Sequence, residues 1–133
     1  MVNWSQKKPV MGDQIRVNLK FYCHHGIYCD DNTIIHFGST TQELDPEKAE
    51  VLISDLSTFL KGGILEVREY SEDELKRKRK PIEIVNYAFT QIGRKGYDLI
   101  NNNCEHFSNE CAFGEHISDQ VNDIFSFLNQ FKR

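Results

Sequence analysis

No stretch of this chain approaches the roughly 18 consecutive apolar residues that a membrane-spanning helix needs, so no transmembrane anchor is expected. The first ten residues contain no apolar run of the kind a secretory signal requires, and a cytoplasmic location is expected. Positive charge is not in excess. Sixteen Lys and Arg stand against 20 Asp and Glu, for a formal net charge of −4, which argues against nucleic acid as a partner. There are no internal repeats, no low-complexity linkers and no glycine-rich phosphate-binding loop, so a repeat architecture and a nucleotide cofactor are both disfavoured. The four cysteines (Cys23, Cys29, Cys104, Cys111) are not spaced as a disulfide scaffold and read as reduced thiols. Neither C-x₂₋₄-C nor H-x₃₋₅-H spacing occurs among the cysteines and histidines, so no metal site is expected.

What remains is a chain of 133 residues with 39% hydrophobic and 27% charged residues, the balance of one soluble globular domain over residues 1–133. Residues 1–11 read as a polar leader. Alternation of Ile15, Val17 and Leu19 marks a strand from Gln14 to Phe21. Residues 26–29 and 33–37 flank Asp30-Asp31-Asn32 and read as a hairpin. A three-residue loop sets even-numbered residues opposite even-numbered ones, so His24 and His36 are expected to share a face as diagonal neighbours. Asp45-Pro46 predicts a helix start, with apolar residues at helical spacing up to Gly62-Gly63. Residues 64–70 form a strand. The basic run Lys76-Arg77-Lys78-Arg79-Lys80 reads as part of a solvated loop, with contact to anionic headgroups or another acidic partner as the alternative. Pro81 opens a helix through Ile84, Val85, Ala88, Phe89 and Ile92, closed by Gly93, and residues 97–100 form a short strand. A further helix runs from Cys104 to near Gly114, and a last amphipathic segment carries Val121, Ile124, Phe125, Leu128 and Phe131. Strands on one side and helices on the other define an α+β class.

The stretch Asn101-Asn102-Asn103-Cys104-Glu105-His106-Phe107 carries the chemistry. Asparagines are good N-caps, so Cys104 falls in the first turn of a helix, where the dipole favours an anion and a thiol ionises more readily. Cys23-His24-His25-Gly26 and Ile34-Ile35-His36 supply candidate bases upstream. Neighbours on a strand face opposite ways, so only one of His24 and His25 can address a given target. His106 lies two residues beyond Cys104, about 200° around the helix, and reads as a structural hydrogen-bonder. Cys111 is two turns on and packs inward. Cys104 itself has a plain alternative, since buried cysteines often only pack.

Together, Tyr22-Cys23-His24-His25-Gly26-Ile27-Tyr28, Ile34-Ile35-His36 and Asn103-Cys104-Glu105-His106-Phe107 resemble the lecithin:retinol acyltransferase family, with its small H-rev-type phospholipase/acyltransferases. The resemblance extends from about Gly12 to about Val121. It implies a circularly permuted papain-like fold with an antiparallel sheet packed on the nucleophile helix. It further implies a thiol acyltransferase or phospholipase A-type acyl hydrolase with Cys104 as nucleophile, His24 as base and His36 orienting the base. The twelve-residue spacing to His36 selects His24 over His25, which then occupies a position where relatives often carry an aromatic and forms a wall of the site or faces solvent. Tyr22 and Asn103 are candidate oxyanion or substrate contacts, beside the backbone N–H of Cys104. The implied partner is an acyl donor, a phospholipid or another acyl ester, with no cofactor. Membrane-bound members carry a long apolar C-terminal anchor, whereas this chain ends in one short amphipathic segment, so only transient contact with a membrane surface is expected. Two other readings use the same residues: a permuted papain-like cysteine peptidase or amidase, and a non-catalytic interaction module that keeps the fold.

Overall fold

The computed structural model describes residues 2–19, 23–39, 45–98 and 102–115. Its centre is a six-stranded antiparallel sheet of β1 (Asn3–Ser5), β2 (Gln14–Asn18), β3 (Cys23–Asp30), β4 (Thr33–Gly38), β5 (Glu50–Ser54) and β6 (Leu65–Glu69), in the spatial order β1-β6-β2-β3-β4-β5. The helices are α1 (Leu56–Leu60), α2 (Glu72–Arg77), α3 (Pro81–Thr90) and α4 (Cys104–Phe113). The class is α+β, as the periodicities imply.

Alternation along the strands divides the interior in two. Ile15, Val17, Tyr28, Ile34 and Val67 project to one side and close around Phe59 of α1. Ile27, Ile35, Phe37 and Val51 project to the other, against Ile84 and Ala88 of α3 and Cys104, Phe107, Cys111 and Ala112 of α4. Phe59 is fully buried, and its truncation to Ala would cost about 3–5 kcal/mol.

The hairpin differs in detail from the expected one. Its loop is only Asp31-Asn32, but a bulge between Tyr28 and Asp30 shifts the register, so the pairs Tyr28↔Ile34 and Ile27↔Ile35 restore even-with-even and odd-with-odd matching. His24 and His36 therefore share a face as expected.

The helix expected over residues 45–60 is instead one turn, a strand and a short helix. Asp45 does begin a turn, with its side chain accepting from Glu47 N at 3.0 Å and its carbonyl from Ala49 N at 2.9 Å. The chain then extends as β5, where β-branched Val51 and Ile53 pair with Phe37 and Ile35 on the edge of β4. Edge pairing outweighs the helical spacing. Asp55, not Asp45, caps the helix that follows, accepting from Thr58 N at 2.7 Å. That helix ends with Lys61 at φ 49° and Gly62 at φ 82°, at the Gly62-Gly63 stop that the sequence predicts.

The charged segment is also more ordered than a loop. Ser71 and Glu74 form a reciprocal capping box that opens α2. In the basic run Lys76, Arg77 and Lys80 stay exposed, and Lys78 and Arg79 are half-buried. Arg79 stacks on Tyr87 and donates to the Glu110 and Cys111 carbonyls at the end of α4, while Arg77 pairs with Glu115. In α3 the buried stripe is Ile84, Val85 and Ala88, while Phe89 and, just beyond the helix, Ile92 are exposed. The expected strand over residues 97–100 is represented by a single bridge, Asp98↔Asn102, around residues outside the described set. Within the polar leader, Asn3–Ser5 pairs with β6. The C-terminal amphipathic segment lies outside the described residues. Among the described residues no helix is long and apolar enough to cross a membrane.

Candidate active site

Cys104 is the first residue of α4, behind Asn103 as N-cap. The Asn103 side chain accepts from His106 N at 3.0 Å, and His106 Nδ1 accepts from Asn103 N at 3.0 Å. This reciprocal cap gives His106 the structural role its helical position implied, and it assigns the Oδ1 of Asn103 to the helix. Cys111 is fully buried in the core, also as expected.

The thiol lies against strand backbone. Its Sγ donates toward the Cys23 carbonyl at 3.8 Å, and the His25 backbone N–H and Tyr97 hydroxyl adjoin it. A strand projects the carbonyl of residue i and the N–H of residue i+2 from the same edge. β2 pairs continuously with β3 from Ile27 to Cys23, whereas the β3–β4 ladder ends at Ile27↔Ile35. The sulfur thus docks on the edge of β3 where β4 has parted from it, against the two residues that flank His24.

The two histidines bridge the same gap. His24 Nε2 and His36 Nδ1 are 2.9 Å apart, and the rings meet edge to face with centroids 4.8 Å apart. Phe59 covers both, at 5.0 Å from His24 and 5.4 Å from His36. On its far side His36 Nε2 lies 3.0 Å from the Ser54 hydroxyl. Two glycines make room. Continuing the register past Ile27↔Ile35 sets Gly38 across from His24 and Gly26 across from His36. A Cβ on Gly38 would fall 3.0 Å from His36 Nδ1 and 3.1 Å from His24 Cε1; one on Gly26 would fall 2.8 Å from Phe59.

Burial governs the protonation states. Cys104 is 2% exposed. Burial pushes its thiol up to about 12, against the opposing hydrogen bonds from His25 N–H and Tyr97. The position at a helix start therefore does not leave this thiol ionised at rest, contrary to the expectation from the dipole alone. Desolvation holds His24 well below the ordinary imidazole value, with His36, His25 and Lys61 adding to the effect, and lowers His36 to about 4. At neutral pH the thiol and both imidazoles rest neutral.

His25 takes neither a solvent-facing position nor the thiol side chain as its partner. It is 1% exposed, meets Trp4 edge-on at 5.5 Å, and lies 3.8 Å from Glu105 with its Nε2 lacking a hydrogen-bond partner. Burial and the charges of Arg16 and Arg68 lower it to about 3. Its backbone N–H, not its ring, addresses Cys104. Tyr22 lies outside the described residues.

Sequence reasoning missed Ser54, Tyr97, Phe59 and Gly38. The glycine two residues after His36 was a usable signal, because a small residue beside a paired histidine leaves space for its partner. Nothing in the spacing pointed to Ser54, which reaches the site only through the unforeseen strand β5. Among the described residues no cluster of three or more His, Cys, Asp or Glu side chains is arranged to hold a metal ion.

Comparison with known proteins places this site in context. The chain is 28% identical over 131 residues to the lecithin retinol acyltransferase of Rattus norvegicus, an overlap of 83% of this chain and 57% of that protein. It is 28% identical over 127 residues to phospholipase A and acyltransferase 3 of Homo sapiens (88% and 78%), and 27% identical over 127 residues to the human phospholipase A and acyltransferase 2. The chain thus spans less than three fifths of the first of these relatives. The family model for lecithin retinol acyltransferase matches residues 7–117, across all the elements that build the site, and the chain belongs to that family.

Proposed function

We propose that this chain is a thiol-dependent acyltransferase or phospholipase A-type acyl hydrolase, built as a permuted papain-like domain and working through a Cys104 thioester. The observations that support the reading are the docking of the Cys104 sulfur on the edge of β3 at Cys23 and His25, the two residues that flank His24, and the contact of His24 with His36 at 2.9 Å. Family membership supports the same chemistry, since the relatives are acyltransferases and phospholipases by name.

In this reading His24 Nδ1 takes the Cys104 proton while Nε2–H donates to His36. The low resting affinity of His24 for protons and the high one of Cys104 oppose that transfer, so substrate must create the ion pair as it binds. The thiolate attacks the ester carbonyl carbon, the C–O bond to the leaving alcohol breaks, and His24 returns the proton to that alcohol. Water, an amine or an alcohol then attacks the thioester, with His24 again removing the proton. The backbone N–H at the start of α4 is the firmest oxyanion donor. An oxyanion role for Asn103 falls to its amide nitrogen, and Tyr22 remains a proposed substrate contact. The acyl donor is a phospholipid or another acyl ester, met transiently at a surface. A cytoplasmic location is part of this proposal.

One observation favours a second reading, a non-catalytic module: the thiol is almost fully buried and neutral at rest. Turnover separates the two. The full chain is expected to release fatty acid from a short-chain phosphatidylcholine, or to pass it to an added amine, and Cys104→Ala is expected to do neither. Equal product from both proteins, or none from either, defeats the acyltransferase reading.

A further inference from the structure

Ser54 is the last residue of β5 and pairs with Ile34 on β4, two residues from His36. Its hydroxyl lies 3.0 Å from His36 Nε2, on the side of the ring opposite His24. Both nitrogens of His36 are therefore engaged, Nδ1 by His24 and Nε2 by Ser54. The neighbouring Asp55 does not compete for the ring, because its carboxylate caps α1 through Thr58 N.

We propose that Ser54 is a positioning residue of this site, whose hydroxyl accepts from His36 Nε2–H and so holds His36 in the tautomer that can receive a hydrogen bond from His24. The inference rests on the reading of Cys104 and His24 as the acyl-transfer pair. The logic is one of donor and acceptor count. An imidazolium has two donors and no acceptor, whereas a neutral imidazole has one of each. Once His24 holds the thiol proton, its Nε2–H needs an acceptor, and Nδ1 of a neutral His36 stands at 2.9 Å. A neutral His36 with a bare Nδ1 carries its proton on Nε2, which points at the Ser54 oxygen. The opposite tautomer would set Nδ1–H of His36 against Nε2–H of a protonated His24, two donors facing each other. A hydroxyl accepts this hydrogen bond without placing a fixed negative charge beside the buried ring, as a carboxylate would. His36 is held neutral by burial and by Lys61, in keeping with this role.

The test compares Ser54, Ser54→Ala and Ser54→Thr in the full chain. Nitrogen-15 NMR of the histidine rings reads the tautomer directly. In the wild-type protein His36 is expected to show a protonated Nε2 and a bare Nδ1, in Ser54→Ala a mixture of tautomers, and in Ser54→Thr the wild-type pattern again. In turnover of a short-chain phosphatidylcholine, Ser54→Ala is expected to lower kcat about five- to tenfold, the worth of one hydrogen bond in a rate, with KM unchanged and Ser54→Thr restoring it. A wild-type His36 protonated at Nδ1, a ring unaltered by Ser54→Ala, or a threonine variant as impaired as the alanine one would overturn the assignment. Absence of turnover in the wild-type protein would defeat the acyl-transfer reading alone, because the ring nitrogens still decide what Ser54 does.

Discussion

A single methyl group at position 38 tests how the histidine pair is held. Gly38 has no special backbone conformation, so Gly38→Ala adds only a Cβ. That atom would fall 3.0 Å from His36 Nδ1, 3.1 Å from His24 Cε1 and 3.4 Å from His24 Nε2. It lies tightly against both rings of the hydrogen-bonded pair. Relief requires the two rings to part, so the 2.9 Å contact lengthens by a few tenths of an ångström or breaks. Overpacking of this kind costs about 1–3 kcal/mol of stability, and a lost buried hydrogen bond about as much. If His24 loses its orientation, activity falls toward the roughly 10²–10⁴-fold loss that removal of a general base brings. We expect Gly38→Ala to lose at least about tenfold in kcat while remaining folded. Gly26→Ala is the control. Its Cβ would meet Phe59 at 2.8 Å and Ile34 at 3.1 Å, not the rings, so its cost should appear mainly in the denaturation midpoint. Both variants are measured by urea denaturation and by turnover of a short-chain phosphatidylcholine. Full activity in Gly38→Ala would refute the idea that the pair needs this glycine.

Three further outcomes follow from the same geometry. Cys111→Ala should keep its activity and lose only the packing of a small buried side chain, whereas loss of turnover equal to that of Cys104→Ala would point to a joint role for the two thiols. His24→Ala should lower kcat by roughly 10²–10⁴-fold and His36→Ala by less, since His36 acts through His24; the reverse order in a rate assay would exchange their roles. The histidines also make stability depend on pH. His36 and His25 fall to about 4 and about 3 in the folded chain, and His24 falls as well, so the unfolded state binds more protons as pH drops below 6.5. Their contribution is fully present above that value and is lost toward the folded values, each group removing up to about 1.4 kcal/mol per pH unit. Denaturant unfolding at pH 7, 6 and 5 should show the decline, and His25→Phe, which removes an unpartnered buried nitrogen, should make it shallower; a flat profile would count against the buried neutral histidines.

The parts of the fold that were legible in the sequence are those fixed by local chemistry. Asn103 before Cys104 and Gly114 after Phe113 bound α4 as expected, and Pro81 starts α3. The histidine pairing followed from parity, although the path to it was not foreseen: a two-residue loop and a bulge at Cys29 give the same matching as a three-residue loop. What misled was spacing without partners. Residues 49–60 carry a helical period, yet the open edge of β4 takes Val51 and Ile53 as a strand, a preference that no local window contains. Ser54 joins the site through that strand. The capping box of Ser71 and Glu74 is written locally as S-x-x-E, inside a segment whose charge reads as a solvated loop. The thiol shows the limit of reasoning from position alone, since the helix start favours an anion while burial at 2% exposure outweighs it.

The central claim, that Cys104 is the acyl-accepting nucleophile, is tested most directly by mass spectrometry of the intact chain after brief incubation with a short-chain phosphatidylcholine and acid quench. The account predicts a single added acyl group, mapped by proteolysis to the peptide containing Cys104, labile to hydroxylamine as a thioester is, and absent from Cys104→Ala. An unmodified wild-type chain that nevertheless releases fatty acid without any trapped thioester even at the shortest times, or an adduct that maps to Cys23 or Cys111, would contradict it.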